Sequence, residues 1–376
     1  MVNLQRRLLT TMIALSVVAP VGMCAASLSG QETVFVMSNN AEKNQVIAFE
    51  RKNDGSYFEQ HRFDTLGRGS GGVNDPLEAQ GSLTLSTDHT VLFAANAGSG
   101  DITVFRVLGS SLLVTDKEPS GGSQPVSIAL WGKTLYVLNS GGAGTVTAFR
   151  LSDSGQLHPI SNATAFLSAN ATGGASISVS PDGKTVAVVE RIAGNIDTLH
   201  VNANGTLAAA VVNPSTGAGA FSARFAPDGK LIVSETGPAN EADGSAISSY
   251  TVLPNGKLAA ISQSVPTDGA ANCWNAITPD GKHVYVSNAG SSTISGFTIG
   301  TGGHLAPIAG TTVGSNPDGS TNLDIAISGD GKFLYSLNGE VGTVGVFAIR
   351  PDGTLEEVTQ IPGLPAAAGF NGIAAL

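Results

Sequence analysis

Short apolar runs that stop on a polar residue recur along this chain: Val34–Asn39, Val91–Asn96, Leu135–Asn139, Val186–Glu190, Leu231–Glu235, Val284–Asn288 and Leu334–Asn338. After each, a short glycine-bearing loop leads to a segment that alternates in polarity, such as Thr145-Val146-Thr147-Ala148-Phe149 or Thr343-Val344-Gly345-Val346-Phe347. Alternation with a period of two puts every second side chain on one face, which predicts half-buried strands rather than helices.

Two series of turns separate these runs. The first comprises Pro181-Asp182-Gly183-Lys184, Pro227-Asp228-Gly229-Lys230, Pro279-Asp280-Gly281-Lys282 and Gly329-Asp330-Gly331-Lys332, with Thr87-Asp88-His89-Thr90 and Trp131-Gly132-Lys133 as worn copies. Proline presets one φ and Asp-Gly tolerates the positive φ that follows, so each predicts a hairpin. The second comprises Asn53-Asp54-Gly55, Ser154-Gly155, Asn204-Gly205, Asn255-Gly256, Gly302-Gly303 and Asp352-Gly353, with Gly109 as a degenerate member. Beyond it come outer strands such as Leu207–Val212 and Leu355–Gln360, and a longer loop returns to an inner strand such as Ser176–Ser180.

Seven four-strand units at a period of roughly 45–50 residues predict an all-β, seven-bladed β-propeller with four antiparallel strands per blade. The chain opens in the second strand of a blade and closes on Phe370-Asn371-Gly372-Ile373-Ala374-Ala375-Leu376, which reads as an inner strand. The C-terminus is therefore expected to complete the first blade and remove its exposed edge.

Composition sharpens this picture. Glycine is abundant, at 48 of 376 residues, and only 13% of residues are charged, as suits short strands and tight turns. Residues 1–26 read as an export signal: Arg6-Arg7, an apolar stretch from Leu8 to Val21, and a small-residue cleavage site at Cys24-Ala25-Ala26. The expected products are a single domain over residues 27–376 and a secreted or periplasmic location; lipidation at Cys24 and a twin-arginine route are the variants. Loss of Arg6 and Arg7 leaves 17 basic against 29 acidic residues, a net charge of −12. An acidic chain without a Lys/Arg cluster argues against nucleic acid as a partner, and the apolar stretch is too short for membrane insertion. Cys273 then stands alone, so no disulfide framework is expected.

In a propeller the loops from second to third strand, and from outer strand to the next inner strand, share one face around the central channel. None of the six histidines falls on that face: His89, His283 and His304 lie at turns, His61 and His158 on outer strands, and His200 on a third strand. The strand-ending residues form a ring of Asn39, Asn96, Asn139, Glu190, Glu235, Asn288 and Asn338. Glu190 and Glu235, in adjacent blades, are candidates for a catalytic acid and base or for oxygen ligands to a divalent cation. Alternatively they and the asparagines bond loop backbone and end the strands. Arg191 could hold an anionic ligand, Trp274 could stack on a sugar ring or sit in the core, and Asp324 lies near the start of an inner strand. The long loop from Asp64 to Gln80, with Arg68, Asp75 and Glu78, faces the same way.

Gly121-Gly122-Ser123-Gln124-Pro125-Val126-Ser127-Ile128, Asn139-Ser140-Gly141-Gly142-Ala143-Gly144-Thr145-Val146, Val284-Tyr285-Val286-Ser287-Asn288-Ala289-Gly290 and the Pro-Asp-Gly-Lys turns carry a further likeness. With these motifs the mature chain resembles the seven-bladed lactonase family, which includes 6-phosphogluconolactonase-like and 3-carboxymuconate-cyclase-like propellers. The resemblance implies a lactone or sugar acid as ligand. Members with lactonase chemistry carry a His-rich inner-strand start where this chain has Thr172-Gly173-Gly174-Ala175, an Arg-His pair where it has Phe221-Ser222, and an Arg where it has Ala289; the strand-ending Glu is kept as Glu235. These departures make a loop face that binds a small molecule or an extracytoplasmic protein the leading expectation, without a resident cofactor. The alternative is an active lactone hydrolase or lactonizing isomerase that uses Glu190 and Glu235.

Overall fold

The computed structural model describes residues 32–376 except 239, 240 and 242, so the export segment expected over residues 1–26 lies outside the described residues. Seven antiparallel sheets follow one another around a central channel, six with four strands and the third with five. In the third blade, Leu157–Pro159 and Ala165–Phe166 share the outer edge of Thr145–Leu151.

Turn chemistry explains why the chain reverses where it does. At Pro181-Asp182-Gly183-Lys184, Asp182 Oδ1 accepts from Ser180 Oγ at 2.7 Å and from Lys184 N at 3.1 Å, and Gly183 takes φ +70°. Asp330 repeats the pattern with Ser328 Oγ at 2.8 Å and Lys332 N at 3.0 Å. The aspartate thus replaces the backbone partners that the hairpin leaves open.

The expected closure is present. Ile373–Ala375 pairs antiparallel with Thr33–Met37, in the register Val34 to Ala375, and becomes the innermost strand of the first blade. Six of the seven strand-ending positions fall where the pattern put them. The exception is Asn39, two residues beyond Met37 in a left-handed turn at φ +48°. The outer strand expected at Leu207–Val212 is displaced: only Val211–Pro214 pairs with Asn195–His200, and Leu207 forms an isolated bridge to Val201. Ala208-Ala209-Ala210 offers no β-branched side chain to anchor a ladder there.

Adjacent blades are joined by one recurring contact besides apolar packing. From the second blade to the sixth, a hydroxyl donates to the carbonyl of the second-series glycine in the next: Thr115 to Gly155 at 2.9 Å, Tyr136 to Gly205 at 3.5 Å, Thr198 to Gly256 at 2.5 Å, Ser249 to Gly303 at 2.7 Å and Tyr285 to Gly353 at 2.8 Å. The seventh blade meets the first through the hydroxyls of Tyr335 and Tyr57, 3.2 Å apart.

Candidate functional site

The segment after the first blade's outer strand (Tyr57–Asp64) runs into the channel instead of over it. Leu77, Ala79 and Gln80 are buried. Gln80 reaches four blades: its N–H donates to Ala175 O at 2.9 Å, its carbonyl accepts from Ser127 Oγ, and its Nε2 donates to Asn275 O at 3.0 Å and to Asp324 Oδ1 at 2.9 Å. Trp274 Nε1 donates to Ala79 O at 3.0 Å, and the indole packs edge-on against Phe221 with ring centroids 5.3 Å apart. Trp274 is therefore a support for this plug, 1% exposed, and presents no face to a sugar. Asp324 is buried as well, with Oδ1 also accepting from Ile325 N and Oδ2 from Ile373 N.

All seven ring residues have 0% exposure. Each ties the loop entering its blade, the third strand or both to the end of the second strand. Asn96 donates to Asp101 at 2.7 Å and Thr103 at 2.9 Å, and accepts from Thr65 at 2.7 Å and Asn44 at 2.9 Å. Asn39 donates to Gly369 O at 3.3 Å in the loop entering its blade and also clasps Ser70 in the loop leaving it. Asn139 donates to Thr147, Asn288 to Thr293 and Ser295, and Asn338 to Thr343 and Gln360. The incoming loop lies so close that a Cβ on Gly67, Gly122 or Gly269 would fall within 2.5 Å of the Asn96, Asn139 or Asn288 side chain. Glycine is the only residue those positions admit without displacement.

The two glutamates follow the same plan. Glu190 accepts from the backbone N of Ser168 at 2.8 Å and from its hydroxyl. Glu235 Oε1 accepts from Ser248 Oγ at 2.7 Å, Gly217 N at 3.0 Å and Ser215 Oγ at 3.1 Å. The expectation that they meet as acid and base at the channel mouth finds no contact between them. Glu190 instead faces Asp197 of its own blade, which is fully buried, and burial followed by the charge of Glu190 holds the Asp197 carboxyl well above its ordinary pKa. Glu190 and Glu235 bond separate loops, and among the described residues there is no group of three or more His, Cys, Asp or Glu that could hold a metal ion.

What reaches the loop-face mouth comes from bulges and loops. The inner strands break register with their neighbours at Val126, Ala175, Phe221, Cys273 and Leu323-Asp324. Bulges re-aim side chains and often border active sites, yet here they supply mainly apolar groups. Asp75 and Glu78 from the plug segment and Arg191 beside Glu190 are among the polar groups on this side, with the buried Asn371 behind Asp75. Arg191 pairs with Glu78, their side chains 27% and 55% exposed. Asn371 Nδ2 donates to Asp75 Oδ1 at 2.8 Å. Burial, then the charge of Asp324, pushes the half-buried Asp75 carboxyl up to about 7, against the opposing pull of Arg191. Burial likewise lowers Arg191 and raises the Cys273 thiol well above its ordinary pKa. A carboxyl raised by burial and by a second carboxylate, with a guanidinium nearby, marks a candidate functional site, although structural ion-pair networks produce such shifts too. Sequence reasoning had Arg191 as a ligand contact but passed over Asp75 as one acid among several on a glycine-rich loop.

The sequence matches the family described as "Lactonase, 7-bladed beta-propeller" over residues 28–166 and 121–366. The chain belongs to the seven-bladed lactonase family. No curated protein matches it. Among solved structures it is similar to a candidate 6-phosphogluconolactonase from Bacteroides uniformis, at 17% identity and TM-score 0.68, covering 92% of this chain and 99% of that one. It is also similar to the periplasmic gluconolactonase of Pseudomonas aeruginosa, at 19% identity and TM-score 0.66, covering 91% and 99%. At such identities the likeness establishes the fold. Within this lactonase-family chain, Phe221 packs against Trp274, Ser222 accepts from Asn275 Nδ2 at 2.9 Å, and Gly173 and Gly174 pack beneath Ile192 and Leu138. No helix among the described residues is long and apolar enough to cross a membrane.

Proposed function

We propose that this protein is an exported lactonase-family propeller whose loop-face mouth binds a small lactone or the sugar acid derived from one. The observation that carries the reading is Arg191, held half-buried between Glu78 and Asp75 at the mouth. Its planar fork suits a ligand carboxylate or a lactone carbonyl. The ring residues, Glu190 and Glu235 included, act in this reading as strand terminators that clamp the incoming loops. Export rests on the basic-apolar-small pattern of residues 1–26, and N-terminal sequencing of exported protein is expected to begin near Ser27.

Turnover is the second reading, favoured by the Asp75 carboxyl at about 7. As its carboxylate, Asp75 would take a proton from a water attacking the lactone carbonyl while Arg191 stabilises the oxyanion. The ring C–O bond then breaks and the proton passes to the leaving alkoxide. Hydrolysis of glucono-δ-lactone and of its 6-phosphate, corrected for spontaneous opening, tests this directly. Under the catalytic reading the rate rises with pH through about 7 and Asp75→Asn abolishes it. Saturable binding without turnover leaves the binding reading alone, and neither binding nor turnover removes both.

A further inference from the structure

The crossing at Gln80 divides the channel, and the half on the other side opens toward the first turn series. It is a cavity of about 450 Å³, within the range of small-molecule pockets. Its lining is mixed, with Leu85, Ile277 and Ile327 from three different blades beside Thr84, Ser86 and Ser328, and His89 stands at its rim. Arg224, from the inner strand Ala220–Phe225, also lines it. The guanidinium extends to the opposite side of the channel, where a Cβ on Gly81 would lie 3.4 Å from Nη2.

Among the described residues Arg224 has no ion pair and its side chain has no hydrogen bond. Asp324 acts on it through space only, because its oxygens are directed to Gln80, Ile325 N and Ile373 N. A guanidinium carries five N–H donors in a fixed plane, and the half-buried Arg224 leaves them open to solvent or to a ligand in the chamber. We infer that this turn-face chamber is a second binding site, for a small organic carboxylate whose head meets Arg224 and whose apolar body lies against Leu85, Ile277 and Ile327. A single planar fork matches a carboxylate's two oxygens, and the lining hydroxyls of Thr84, Ser86 and Ser328 already donate to Gly81 O, Asp88 and Asp330 rather than to the further oxygens a free phosphate would bring. This site is separate from the loop-face mouth and does not rest on the reading given for it.

Calorimetric titration of the mature protein with octanoate tests the inference, with octanamide and inorganic phosphate as counterparts. Octanoate is expected to bind saturably and raise the melting temperature, and the two counterparts are not. Arg224→Gln is expected to weaken octanoate at least about tenfold, the weight of one charge-assisted contact. Because that change strands Asp324, the double variant Arg224→Gln/Asp324→Asn provides a folded comparison. Ile327→Trp, which fills the chamber from its wall, is expected to abolish binding with Arg224 intact. Octanoate binding equally to wild type and the double variant, octanamide or phosphate binding as tightly as octanoate, or no octanoate binding at millimolar concentration would each overturn it.

Discussion

Replacing Gln80 by alanine tests whether the plug segment holds the channel together. The substitution keeps the backbone contacts to Ala175 and Ser127 but removes three side-chain hydrogen bonds: Nε2 to Asn275 O and to Asp324 Oδ1, and Oε1 from Asn275 N at 3.3 Å. A neutral hydrogen bond contributes about 1 kcal/mol and one to a charged group about 1.5–3, with further cost when the partner is left buried and unsatisfied. Asp324 keeps only its two backbone donors, and the Asn275 backbone loses its Gln80 partners, so the loss comes to about 3–5 kcal/mol. Unfolding entropy of about 2.1 cal/mol/K per residue, over the 345 positions from 32 to 376, gives about 0.7 kcal/mol/K. The expected fall in melting temperature is therefore about 4–7 °C. Calorimetry reads it, and tryptophan emission reports the local change, because Trp274 is bonded to Ala79 and should shift to the red as water enters. A variant that melts within about 1 °C of wild type with unchanged emission would refute the reasoning.

Removal of Phe370 to Leu376 takes away the strand paired with Thr33–Met37 and exposes the first blade's inner edge; aggregation or loss of cooperative melting is expected, and a truncated chain that melts like the full one would contradict the closure. Asp197→Asn should stabilise the protein at neutral and higher pH. A buried carboxyl with a raised folded pKa binds more protons folded than unfolded, so wild-type stability falls as pH rises from about 4 through the raised value. The advantage of the variant should thus grow over that window, and denaturant titrations at pH 5 and pH 8 that show equal differences would exclude the mechanism. Asn96→Ala breaks a hub of four hydrogen bonds that ties the second blade to its incoming loop and to Asn44 of the first blade. A loss of about 2–4 kcal/mol is expected by chemical denaturation, and a change under about 0.5 would show the hub to be incidental.

The blade count, the antiparallel order and the C-terminal closure were legible because each rests on local chemistry. A period-two pattern and an Asp-Gly turn specify a strand and a hairpin wherever they occur. The role of the plug was not legible. Leu66 to Gly72 is glycine-rich and polar, as exposed loops are, and only Leu77 and Ala79 hint at burial. Nothing local says that Gln80 will meet Asn275 and Asp324, which lie 195 and 244 residues away. The ring was found by counting, but its orientation was not: the same Asn or Glu at a strand end can face the channel or turn into its own sheet. Gly67, Gly122, Gly217 and Gly269 held the signal, since each packs on a ring side chain. Asp75 was missed for a related reason, as its neutral-range pKa arises from burial and from Asp324, 249 positions later.

The central claim is that ligand is held by Arg191 at the loop-face mouth, with Glu190 and Glu235 serving only to end their strands. Calorimetric titration of gluconate into wild type, Arg191→Gln and the double variant Glu190→Gln/Glu235→Gln measures it most directly. The expected result is that Arg191→Gln weakens binding about tenfold or more at an almost unchanged melting temperature, whereas the glutamate double variant binds like wild type but melts several degrees lower. A glutamate double variant that loses binding while keeping its melting temperature, with Arg191→Gln binding normally, would contradict it.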